Sequence, residues 1–128
     1  MRSLYLLVLR CVDIERTKSF YEILGLTFAK HKHGNGPEHY AAEDEIGILE
    51  LYPTETKMPD ATGLGFLSED IVALHTVFRK KQLAPREIRE TEMGRTFIVR
   101  DPDGRRVEIK AWEEEPAAAP EAPTPPAQ

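Results

Sequence analysis

The sequence has one cysteine among 128 residues, so no internal disulfide can brace it. Cys11 reads instead as a small buried residue in a strand, which fits a reducing, cytoplasmic compartment. Basic charge is also short. Lys and Arg number 17 against 22 Asp and Glu, for a net charge of -5, and no cationic stripe offsets that balance. This argues against nucleic acid as a partner. No run is long and apolar enough to span a bilayer, so no membrane partner is expected. Met1 to Val12 lacks the charged n-region and small-residue cleavage site of a signal peptide. Proline is scarce in the part that folds, because five of the ten prolines lie in Pro116 to Gln128. That segment consists almost wholly of Ala, Pro, Glu and Thr and offers nothing large to bury, so 114–128 is expected to be a disordered tail.

The remainder, 41% hydrophobic and 30% charged over the whole chain, is sufficient for one soluble domain over 1–113. Leu4 to Val12 reads as a strand. Asp13 is a good helix N-cap, and Ile14, Phe20, Tyr21 and Leu24 mark an amphipathic helix that stops at Gly25. Strands follow at Leu26 to His31, His39 to Glu43 and Ile46 to Tyr52, the first pair joined by Gly34-Asn35-Gly36-Pro37. The order β-α-β-β-β then recurs. Leu64 to Leu67 is a strand, Ile71 to Lys81 a helix, and strands lie near Glu87 to Glu90, Thr96 to Arg100 and Val107 to Trp112. Asp13-Ile14 matches Asp70-Ile71 and Leu26 matches Leu83 at an offset of 57, whereas Phe20 matches Phe78 and Glu50 matches Glu108 at 58. One residue inserted in the helix region would reconcile the two offsets.

Two such modules, about 4–52 and 63–112, are each too small to hold a separate core. The expected fold is therefore α+β, two βαβββ modules forming a curved eight-stranded mixed sheet with helices on the convex side. The most informative stretch is the last hairpin, where Asp101-Pro102-Asp103-Gly104 supplies a turn and Val107 to Ala111 the returning strand. Alternation puts Val107, Ile109 and Ala111 on one face and Arg106, Glu108 and Lys110 on the other. The same rule brings Leu6 and Arg10 of the first strand and Glu50 of the fourth to the concave side.

These pieces resemble the vicinal oxygen chelate superfamily of glyoxalase I, bleomycin-resistance proteins, fosfomycin-resistance enzymes and extradiol dioxygenases. The resemblance is carried by Val12-Asp13-Ile14, Ser19-Phe20-Tyr21, Leu24-Gly25-Leu26, Leu49-Glu50-Leu51-Tyr52, Asp101-Pro102-Asp103-Gly104 and Val107-Glu108-Ile109. In metal-dependent members it implies four ligands, one from the first and one from the fourth strand of each module. Glu50 and Glu108 occupy the fourth-strand positions, but the first-strand positions carry Leu6 and, at an offset of 58, Leu64. A register slip would substitute Tyr5, and Gly63 or Phe66. None of these is a good ligand for a divalent cation.

The reading is accordingly of a small-molecule binding protein that uses no cofactor, and the resemblance implies a homodimer with the cavity between its subunits. Glu50 and Glu108 are its catalytic candidates, and Arg10, His39, Arg106, Leu6 and Leu64 its ligand contacts. The alternative is an isomerase resembling lactoylglutathione lyase. It would hold Zn, Ni, Mn or Fe in a variant way, with Glu50, Glu108 and His39 as weak metal candidates. Without a metal the two carboxylates need compensation, and Arg10 and Arg106 are the available cations. His39 reaches the site if the register faces it toward Glu50; a slip puts Tyr40 there. His31 and His33 read as a solvated strand edge, with metal or anion binding as the other possibility, and His75 as an exposed helix residue. Tyr52, Phe66 and Trp112 read as core or as the lining of an apolar pocket.

Overall fold

The computed structural model describes residues 3–57 and 60–112; the proposed tail lies outside them. In chain order the elements are β1 (Leu6–Cys11), α1 (Ile14–Ile23), β2 (Ala29–His31), β3 (His39–Glu43), β4 (Ile48–Pro53), β5 (Gly63–Ser68), α2 (Ile71–Lys80), β6 (Arg89–Thr91), β7 (Gly94–Arg100) and β8 (Arg106–Ala111). Both helices begin after an aspartate. Asp13 accepts from the amides of Glu15 and Arg16, and Asp70 from that of Ala73, so each takes up N–H groups the first turn leaves free. Gly25, at φ +95°, releases the chain from α1.

Hydrogen bonding divides the eight strands into two four-stranded sheets of identical order, β1-β4-β3-β2 and β5-β8-β7-β6. In each, the first strand runs parallel to the fourth and the rest are antiparallel. The inner sheet faces and the helices share one core. It contains Leu9, Cys11, Phe20, Tyr21 and Leu51 from the first module and Ile71, Phe78, Phe97, Val107 and Ile109 from the second. Phe20 meets Phe78 with ring centres 5.3 Å apart, and Tyr21 meets Phe66 at 5.9 Å. Each such side chain removed from water contributes roughly 1.5–3 kcal/mol, so neither module is expected to stand without the other.

The repeat is real, but the extra residue sits elsewhere than expected. Both helices are ten residues long and start 57 apart, so Tyr21 rather than Phe20 corresponds to Phe78. Val8 pairs with Glu50 and Gly65 with Glu108, while Ala41 pairs with Glu50 and Ile98 with Glu108. The offset of 57 therefore holds through β7 and becomes 58 only across the last hairpin. Its turn, Asp101 to Arg105, is one residue longer than Asp44 to Gly47.

Arg105 is what the longer turn adds. It is 1% exposed, and its parity along β8 is that of the core residues Val107 and Ile109. Its guanidinium reaches Asp60 at 2.5 Å, Asp101 at 3.1 Å and Asp103 at 3.4 Å, and donates to the backbone carbonyl of Arg10. Asp101 also accepts from the Tyr21 hydroxyl at 2.8 Å, and Asp103 from the Val12 amide and the Thr17 hydroxyl. The hairpin thus fastens β1, α1 and the segment between the modules to one buried cation. Burial works against that charge, but the bonds to Asp101 and Asp60 outweigh it and hold the guanidinium above its ordinary range.

Candidate functional site

The outer faces of the sheets carry the polar candidates. On the first sheet the core side takes Leu7, Leu9 and Leu51, and alternation sends Leu6, Val8, Arg10, Glu50 and Tyr52 outward. On the second, Arg106, Glu108 and Lys110 point outward and Val107, Ile109 and Ala111 inward, as expected. Leu64 is a correction. It pairs with the fully buried Val107 and packs against the core, so it cannot line the outer face. Gly63 and Gly65 stand there instead, matching Leu6 and Val8, because the offset at this strand is 57.

Glu50 has found a partner, though not an arginine. Its carboxylate lies 3.7 Å from Nε2 of His39, the two side chains being 21% and 2% exposed. The register makes this contact: Ala41 pairs with Glu50, and His39 lies two residues along on the same face. Nδ1 of His39 is 3.2 Å from the Pro37 carbonyl; with Nδ1–H donating there, Nε2 of the neutral ring is an acceptor, and a hydrogen bond to the Glu50 carboxylate requires a further proton on the pair. Against the imidazole lies the Tyr52 ring, 4.1 Å away between centres and only 9° from parallel. The Tyr52 hydroxyl is 3.3 Å from Nε2, but a stacked ring approaches across the imidazole plane rather than along the nitrogen lone pair. This contact is stacking first. Arg10 places its guanidinium 5.0 Å from the centre of the Tyr52 ring.

The expected compensation of the carboxylates by Arg10 and Arg106 does not occur. Among the described residues no ion pair joins either arginine to Glu50 or Glu108, because Arg10 turns to Tyr52 and Arg106 extends outward. The Glu108 side chain makes no hydrogen bond or ion pair among the described residues. His75 is likewise not simply exposed: its ring stands edge-on to Phe97 at 5.0 Å, and Nε2 is 2.9 Å from the Arg86 carbonyl, because α2 lies along β7. Phe66 joins the core, and Trp112 is 59% exposed.

Clefts among the described residues include these two. One of about 230 Å³ is lined by Arg10, Thr54, Lys57, Asp60 and Arg105 among others. Another of about 300 Å³ is lined by Leu67, Met93, Lys110, Ala111 and Trp112. Neither contains Glu50 or Glu108. A metal of the kind held by four ligands from the first and fourth strands does not fit the donors present. Those outer positions carry Leu6, Val8, Gly63 and Gly65 against two carboxylates.

The family model described as the Glyoxalase/Bleomycin resistance protein/Dioxygenase superfamily matches residues 4–109. The chain belongs to this superfamily. Among solved structures, this superfamily member is similar to an integron cassette protein of Vibrio cholerae, at 23% identity and TM-score 0.67, covering 88% of this chain and 97% of that one. It is similar to TnmS3, an antibiotic binding protein from Streptomyces sp. CB03234, at 21% identity and TM-score 0.72, with coverage of 88% and 98%. A lactoylglutathione lyase from Agrobacterium tumefaciens shares 17% identity at TM-score 0.64, with coverage of 85% and 92%. No curated protein matches the sequence. At these identities the structures speak for the fold, and this fold hosts unrelated chemistries.

Sequence reasoning missed Arg105 and its three aspartates. The signal was present in the alternation of β8, which assigns an arginine to the core side.

Proposed function

We propose that this protein binds a small organic molecule on the outer faces of its sheets, in a cavity closed by a second copy of the chain. It would do so without a metal held between the first and fourth strands. The observation that carries the reading is the surrounding of Glu50: an apolar strip of Leu6 and Val8 beside a stacked Tyr52 and His39, where a metal site would need further donors. Such a surface, mostly apolar with a few placed polar groups, suits an organic ligand. Arg10 and Arg106 supply cations for its acidic groups. Homodimerisation is supported by large apolar side chains left open in the single chain, among them Leu67 at 58%, Met93 at 69% and Trp112 at 59% exposure.

A lyase-like isomerase is the second reading, favoured by His39 standing beside Glu50, where imidazole and carboxylate could move a proton next to a carbonyl. Turnover of methylglyoxal with glutathione in added Ni²⁺ or Zn²⁺ separates the two. The binding reading expects none. Turnover that disappears in Glu108→Gln would overturn it. Sedimentation should give a dimer, and a naphthalene-type fluorescent probe should bind the wild type more tightly than Val8→Glu.

A further inference from the structure

His31, Lys32 and His33 form a His-X-His segment at the end of β2, and His31 is the direct cross-strand partner of His39 on β3. The three imidazoles gather on one face of this hairpin, their centres 6.2 Å apart for His31 and His33, 5.9 Å for His31 and His39, and 5.2 Å for His33 and His39. Three imidazoles bound to one tetrahedral ion at about 2.0–2.1 Å would hold their centres roughly 5 Å apart. The cluster is therefore close to the spacing a metal requires. Backbone supplies the arrangement: alternation puts residues i and i+2 of one strand on the same side, and the register adds a third from its neighbour.

We infer that His31, His33 and His39 form a binding site for a borderline divalent cation of the Zn²⁺ class, distinct from any site between Glu50 and Glu108. The environment of His39 supports this independently of the spacing. Nδ1 of this buried ring faces the Pro37 carbonyl, the outer-shell contact that fixes a metal-binding histidine in one tautomer and leaves Nε2 to coordinate. Glu50, 3.7 Å from that nitrogen, brings a negative charge beside it. His31 and His33 are exposed, so their rings can turn without disturbing the core. Turning is required, since with the side chains as placed no group of three or more His, Cys, Asp or Glu among the described residues could hold a metal ion. Imidazole donors select Zn²⁺, Ni²⁺ or Cu²⁺ over Mg²⁺.

Calorimetric titration of the full chain with Zn²⁺, with Mg²⁺ as control, tests the site, and Co²⁺ absorption reports the coordination. One Zn²⁺ per chain is expected, with no Mg²⁺ binding. His31→Ala and His33→Ala should each weaken Zn²⁺ by about 100-fold or more. His75→Ala and Glu108→Gln should leave affinity unchanged. The inference is overturned if Zn²⁺ does not saturate, if His33→Ala binds like wild type, or if Glu108→Gln abolishes binding. Unchanged affinity in a folded His39→Gln would also overturn it, leaving only a two-histidine chelate. Should that variant unfold by circular dichroism, the NMR resonances of His39 in the wild type decide, and no shift on adding Zn²⁺ overturns the inference. None of these readouts depends on organic-ligand binding or turnover, so this inference and the proposed function fail separately.

Discussion

The two modules share strand order, helix length and the glutamate on the fourth strand, yet they have been put to different uses. In the first, Glu50 faces His39 and a stacked Tyr52, while the turn between β3 and β4 is a short loop held by Asp44, which accepts from the Ile46 and Gly47 amides. In the second, Glu108 has Gly65 and Ile98 as its cross-strand partners, and the corresponding turn is built around the buried Arg105. A duplicated backbone keeps its positions because the ladder and the core require them. Outward side chains on one copy and the turn on the other are free to diverge. The first module carries the His39–Glu50 contact on its outer face, and the second carries the fastening in its hairpin.

Removing the fastening should have the largest effect. Arg105→Met leaves Asp101 and Asp103 without their cation and should cost about 3–5 kcal/mol in denaturant unfolding. Asp44→Ala, at the equivalent turn, should cost only about 1 kcal/mol. Equal losses would mean that the turns are not specialised.

Tyr21 and Phe78 occupy the same helix position in the two modules, but only Tyr21 reaches a carboxylate, Asp101. Tyr21→Phe should cost about 1–3 kcal/mol by removing a buried hydrogen bond, again measured by denaturant unfolding. Burial and Asp101 both raise the hydroxyl of Tyr21 above its ordinary range. Phe78→Tyr should destabilise as well, for the opposite reason: the added hydroxyl would enter the core.

The outer faces can be compared by NMR. Glu50→Gln should displace the imidazole resonances of His39, whereas Glu108→Gln should leave them in place. A response to both variants would mean that the two carboxylates share one site within the chain.

The smallest effect concerns acid. Asp60 is held below the usual carboxylate range by hydrogen bonds from Thr62 and by Arg105. A depressed folded-state pKa adds stability above the unfolded value, near 3.9, and loses it as pH falls through the folded value. Asp60→Asn should therefore be less stable than wild type near neutral pH, and the gap should narrow below about pH 4. A gap independent of pH would assign Asp60 a role through packing alone.

Much of the fold was legible because it rests on local rules. Asp13 as a cap, Gly25 as a stop, and the alternation of β8 each follow from one or two residues, and all stand where expected. Errors arose where counting had to cross a turn. The offset at β5 was taken as 58 instead of 57, which brought Leu64 to a face that Gly63 and Gly65 occupy. A single residue in the Asp101–Arg105 turn accounts for the discrepancy, and turn lengths are not constrained by hydrophobic period.

From the sequence alone came the repeated module, the outward placement of Glu50 and Glu108, and the absence of good ligands on the first strands. Each depends only on neighbours along the chain. The partners of those groups were decided by tertiary structure. Strand register brought His39 to Glu50 and His31 to His39, and the packing of one module on the other buried Arg105 among aspartates from two segments. The separation reaches 45 residues for Asp60 and Arg105, and even for near neighbours such as His31 and His39 the distances are set by how strands pair and sheets pack rather than by any local preference.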